Sequence, residues 1–121
     1  MDAGKKNETF WRGVDCFNRR EFFECHEVLE EIWLEESEPD KPFYQGLIQV
    51  AAGFHQLVAK NNPRGAASLL ERGKEKLEGY PASYHGIDLA RLRAELSPWL
   101  ERLTRGQPTD QLPRPRIHPA P

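Results

Sequence analysis

The stretch Pro42-Phe43-Tyr44-Gln45-Gly46-Leu47-Ile48-Gln49-Val50-Ala51-Ala52-Gly53-Phe54-His55-Gln56-Leu57-Val58 decides the fold. It contains no Asp, Glu, Lys or Arg. Tyr44, Leu47, Ile48, Val50, Ala51, Phe54, Leu57 and Val58 cover most of a helical circumference, which predicts a central, buried helix. Asp40 and Pro42 open it, since a proline in the first turn has no N–H to lose. Asn61-Asn62-Pro63 stops it near Lys60 and caps the next helix.

Working outward, the spacing of Phe10, Val14 and Phe17 predicts a short first helix from about Glu8 to Phe17. Asn18-Arg19-Arg20-Glu21 fits a capping box for a second, from Arg19 to about Glu36, with the stripe Phe22, Cys25, Leu29, Ile32 and Trp33. The fourth has Ala66, Leu69, Leu70, Gly73 and Leu77 on one face, and Gly79-Tyr80-Pro81 ends it. Asp88 caps a fifth, which Ser97-Pro98 kinks or restarts. No segment alternates like a strand. The expected fold is an all-α, single-domain bundle of about five helices over residues 1–104, with an antiparallel helical hairpin at its core.

Five of the ten prolines fall within residues 105–121, a segment with three arginines and one acid. This composition predicts an extended or disordered tail. The 121 residues suffice for one domain, and a net charge of -2 gives no case for nucleic acid. No run of eighteen apolar residues is present to span a membrane, and the first residues lack the apolar core of a secretory signal. Two cysteines, Cys16 and Cys25, read as reduced, packed thiols, so a cytoplasmic protein is expected.

Between Glu21 and Asp40 stand nine acids and no Lys or Arg. Such a run is either a solvated helix face or an acidic docking surface, because like charges this dense destabilise a helix unless offset. On the second helix, at about 100° per residue from Phe22, Trp33 lies near 20°, His26 near 40°, Glu30 near 80° and Glu27 near 140°. His26 and Glu30, four residues apart, sit at the edge of the apolar stripe. His55 lies on an apolar face of the third helix. It is close in depth to His26 if the hairpin faces meet, within roughly 4.5 Å along the axes.

Three roles fit these residues. They are a structural hydrogen-bond network; a metal site, with His26, Glu30 and His55 matching a zinc ligand set in type; or a small-molecule pocket built by His26, Glu30, Trp33, Gln45 and Gln49. Glu27 and Glu30 are the candidate bases if the protein is a catalyst. His26-Glu27-Val28-Leu29-Glu30 echoes the H-E-x-x-H of zinc peptidases, but the second histidine is replaced by Glu30. The rival is a non-enzymatic interaction module, a homodimer, using the acidic helix and a seam at Gly46 and Gly53 where a second backbone approaches. His85 in a loop and His118 in the tail have no evident companions.

The segments Phe17-Asn18-Arg19-Arg20-Glu21-Phe22-Phe23-Glu24-Cys25-His26-Glu27-Val28-Leu29-Glu30-Glu31-Ile32-Trp33 and Tyr44-Gln45-Gly46-Leu47-Ile48-Gln49-Val50-Ala51-Ala52, followed by Asn62, Gly65, Ala66, Leu69 and Leu70, form a pattern. It resembles a prokaryotic family of small helical proteins known as domain of unknown function 309. The resemblance covers roughly Gly13 to Leu77, and its motif runs through Glu24, His26, Glu27, Glu30, Trp33, Gln45, Gly46 and Gln49. Cys25 departs from it, standing where the family commonly has a small residue. The resemblance implies a helical bundle and supplies no substrate or mechanism. Polar residues inside its motif favour a site over a purely structural role, because a core needs leucines more than it needs His26 or Glu30. The expected function is binding of an unidentified small ligand or metal ion.

Overall fold

The computed structural model describes residues 1–121. The chain forms α1 (Ala3–Asn18), α2 (Phe22–Glu35), α3 (Lys41–Val58), α4 (Pro63–Leu77), β1 (Ser83–Tyr84), β2 (Ile87–Asp88) and α5 (Leu89–Thr104). It is the all-α bundle of five helices that the periodicities predict, with one very short antiparallel hairpin in addition. No helix is long and apolar enough to cross a membrane.

α3 is central, packing on α2 and most extensively on α4, while α1 covers α2 and α5 covers α4. Phe43, Tyr44, Leu47, Val50, Ala51 and Phe54 are buried along its length, each large side chain contributing about 1.5–3 kcal/mol. α2 and α3 run antiparallel. Phe22 at the start of α2 stacks on Phe54 near the end of α3, 5.4 Å between ring centroids. At the other end the Lys41 ammonium lies 4.7 Å from the Trp33 ring.

The caps at Asn62 and Asp88 form as expected, their side chains accepting from the amides of Gly65 and Arg91. The capping box at Asn18 does not. α1 runs on to Asn18 and closes with Arg20 in the left-handed region at φ 66°. The Arg20 amide bonds the Phe17 carbonyl and the Glu21 amide bonds the Cys16 carbonyl, the Schellman arrangement. The Glu21 amide is thereby committed to α1, and Asn18 turns elsewhere. Pro98 does not break α5, which is continuous through it, with the Ser97 hydroxyl bonding the Arg93 carbonyl.

Asn18 turns toward the Pro-rich tail, which is not the loose appendage its composition predicts. The Asn18 side chain donates to the Ile117 carbonyl at 2.9 Å and accepts from the Ile117 amide at 2.8 Å. Ile117 is buried, the Trp99 indole donates to the Pro113 carbonyl, and Ile87 bridges to Pro119. The prolines hold the tail extended, and an extended strand with free carbonyls and one buried isoleucine can be zipped along a bundle. The stretch from Pro113 to Pro119 is thus packed against the bundle.

Candidate functional site

α2 places its residues as the wheel requires. Cys25, Leu29 and Ile32 are buried, His26 and Glu30 sit at the edge, and Glu27 is exposed. The His26 Nε2 is 3.6 Å from a Glu30 carboxylate oxygen, a partly exposed contact worth no more than about 1 kcal/mol. The His26 Nδ1 and the Trp33 Nε1, on the side of α2 that turns toward α3, are buried without a hydrogen-bond partner.

The expected zinc set is not assembled. Phe23 stacks on His26, with 6.4 Å between centroids, and also packs on His55 at 5.4 Å. The two imidazoles thus share a phenyl ring, and no three His, Cys, Asp or Glu side chains come together to hold a metal ion. The glutamines go elsewhere too. Gln49 accepts from the Lys76 ammonium of α4 at 3.0 Å, so it belongs to the α3–α4 side, away from His26. Gln56 accepts from Asn62, and Gln45 is partly exposed on the same stripe.

The seam at Gly46 and Gly53 is filled by α4 of the same chain. A Cβ on Gly46 would meet Leu77 and the Gly73 carbonyl, and one on Gly53 would meet Leu70 and the Ala66 carbonyl. Small residues there let α3 and α4 approach, and no second subunit is needed to explain them. Both thiols are poor nucleophiles. Burial pushes the Cys25 thiol far up, and burial with the Glu21 charge raises Cys16.

What α2 does present outward is a second stripe: Phe23, Glu27, Glu30 and Leu34, at i, i+4, i+7 and i+11. Phe23 is 48% and Leu34 65% exposed, unusual for large apolar side chains on a stripe with acids between them. Other acids of the run have partners nearby. Glu31 pairs with Arg12, Glu35 with the amino terminus, Glu36 with Lys6 and Asp40 with His85. Glu24 and Glu27, both exposed, pair with no cation.

One histidine's surroundings are invisible to local pattern. His85, at the tip of the β1–β2 turn, sits 2.9 Å from an Asp40 carboxylate oxygen through Nε2. The Tyr84 hydroxyl donates to the other oxygen of Asp40, and Tyr80 donates to the Pro39 carbonyl. Tyr80, Tyr84 and His85 thus clamp the α2–α3 connection. The only local signal was a Tyr-His-Gly turn. Its partner lies forty-five residues upstream, beyond the reach of periodicity. His118 likewise finds Glu95, at 3.7 Å.

Residues 10–69 match the family described as a domain of unknown function, DUF309. Through this segment the chain belongs to that family. An uncharacterized protein of Aquifex aeolicus (strain VF5) is 32% identical over 111 residues, which are 91% of this chain and 33% of that protein. The uncharacterized protein YpuF of Bacillus subtilis (strain 168) is 33% identical over 82 residues, 65% of this chain and 47% of that protein. The chain therefore spans between a third and a half of the length of these relatives. The DUF309 segment contains all of α2 and α3, including the outward stripe and the His26–Glu30 pair.

Proposed function

We propose that this DUF309 chain is a binding module rather than a catalyst. Its outward α2 stripe docks a basic, apolar-flanked segment of a partner protein. The observation that carries this reading is the stripe itself: Phe23 and Leu34 exposed at its ends, Glu27 and Glu30 between them, and Glu24 alongside without a counter-charge. The eleven steps along α2 from Phe23 to Leu34 span roughly 16 Å, the length of about three turns of a docked helix. Apolar ends supply affinity, and the acidic middle selects a Lys- or Arg-bearing partner.

A second copy of the chain is a poor partner for this face, because like carboxylates would meet across it. His26 supports the edge of the stripe through Glu30 and through its stacking on Phe23. The reading is tested by placing a photo-crosslinking residue at Leu34 and, as a control, at the exposed Glu71 of α4. The expected result is one discrete protein adduct from position 34 and none from 71, in cells of the source organism. Equal labelling from both positions, or none from either, contradicts it.

A second reading rests on the buried, unpartnered His26 Nδ1 and Trp33 Nε1. Native proteins pair nearly all such atoms, and a small polar ligand between α2 and α3 would satisfy both. Under that reading His26→Ala abolishes ligand binding while the Leu34 adduct persists.

A further inference from the structure

A cleft of about 380 Å³ opens between the first turns of α1, the ring of Tyr44 and the turn His85-Gly86. Its walls are Phe10, Trp11, Tyr44 and His85, with Lys6 and Asn7 at the rim, and no carboxylate lines it. The volume is within the range of small-molecule sites, and the lining is aromatic with a few polar groups, the usual composition of such sites.

Two contacts hold the His85 ring at this cleft, on a turn that lies against Trp11. Its backbone is left-handed at φ 48°, followed by Gly86 at φ 79°, as the two-residue turn between β1 and β2 requires. Its ring stacks on Tyr44, 5.8 Å between centroids and 27° between planes. Its Nε2 is fixed by Asp40, whose second oxygen is taken by Tyr84. Its neighbour Gly86 lies so close to Trp11 that a Cβ there would stand 3.1 Å from the indole. The arrangement leaves Nδ1 as the one uncommitted polar atom of the ring.

We propose that this cleft binds a small aromatic carboxylate. The ring of the ligand packs among Phe10, Trp11 and Tyr44. Its carboxylate accepts from His85 Nδ1, in the imidazolium form with Nε2 kept on Asp40, and faces the Lys6 ammonium. Lys6 lies 5.8 Å from the Tyr44 ring centroid, and its present partner Glu36 is outside the lining. Asp40 is a positioning residue, orienting the imidazole while the charge-assisted bond is made by the other nitrogen. This site shares no residue with the α2 stripe and does not depend on it.

The test is a titration of the whole chain with benzoate at millimolar concentration, followed through backbone amide and indole N–H resonances. The expected shifts fall on the Trp11 indole and the amides of Lys6, Asn7 and Gly86, with the Trp33 and Trp99 indoles unmoved. Benzamide, the same shape without the charge, binds about tenfold more weakly, the loss of one charge-assisted bond. His85→Gln and Lys6→Met each weaken benzoate about tenfold. Lys6→Met, on the rim of the first helix, decides alone if His85→Gln fails to fold. Absence of shifts at the cleft, equal binding of benzamide, or undiminished binding by the folded variants overturns the proposal.

Discussion

Gly46 and Gly73 pack backbone to backbone: a Cβ on Gly73 would stand 2.7 Å from the Gly46 carbonyl oxygen and 2.9 Å from the Val50 side chain. This contact sets the approach of α4 to α3 and accounts for a glycine seam that otherwise suggests a subunit interface. Gly73→Ala is expected to destabilise the chain by about 1–3 kcal/mol, because a backbone oxygen cannot move aside as a side chain can. Urea unfolding reads the loss. Light scattering of the same variant is expected to show an unchanged oligomeric state, and a change of state with stability preserved would return the seam to an intermolecular role.

Arg20 closes α1 in a conformation that glycine adopts freely and a Cβ disfavours by about 1–2 kcal/mol. Its side chain is exposed. Arg20→Gly is therefore expected to raise stability, by about 1 kcal/mol after the greater entropy of glycine in the unfolded chain is subtracted. A lowered melting temperature would show that the Arg20 side chain has a role the geometry does not reveal.

Removing residues 113–121 is expected to cost about 3 kcal/mol, from a buried isoleucine and the hydrogen bonds that hold it. Those bonds are the Asn18 pair with Ile117 and the Trp99 bond to Pro113. Thermal unfolding of the truncated chain measures it, and a melting temperature equal to that of the full chain would restore the tail to the status of an appendage.

Asp40 and Tyr84 give a pH dependence with two arms. Burial alone pushes the Asp40 carboxyl up, but hydrogen bonds from Tyr84 and His85, with the charges of His85 and Lys6, outweigh it and hold it below the usual aspartate range. A folded pKa below the unfolded one means stability present above about pH 4 and lost as pH falls through the lowered value. Tyr84 goes the other way. Its hydrogen bond to Asp40, then burial and the Asp40 charge, push the phenol up to about 12. Its contribution is present below about pH 10 and is lost as pH rises toward 12. Tyr84→Phe is expected to cost about 1 kcal/mol at neutral pH and to flatten both arms. Unfolding free energies across that range check the shape, and parallel curves for the variant and the parent would contradict it.

Local pattern carries the helices well because burial of α3 and α4 is written in spacing: Tyr44, Leu47, Ala51 and Phe54 repeat as a core face must, and Asn62 and Asp88 are caps by side-chain chemistry. What spacing cannot carry is the rotation of one helix against the next. Gln49 and His26 each lie where their own helix puts them, yet α4 draws Gln49 to Lys76, and both His26 and His55 pack on Phe23. Proline composition misdescribes the tail because Asn18 and Trp99, far upstream, supply its hydrogen bonds. His85 was illegible for the same reason, since its meaning lies in Asp40 and Tyr44.

The most direct test of the α2 docking face places the photo-crosslinker at Leu34 in the parent chain and in Glu24→Lys/Glu27→Lys. Both substitutions are on exposed side chains without ion-pair partners, so the melting temperature is expected to hold within a few degrees. The account predicts a discrete partner adduct in the parent and at least a tenfold loss of it in the charge-reversed chain, about 1.4 kcal/mol of binding. An adduct of undiminished yield from the folded, charge-reversed chain would contradict the claim that this acidic stripe is what the partner reads.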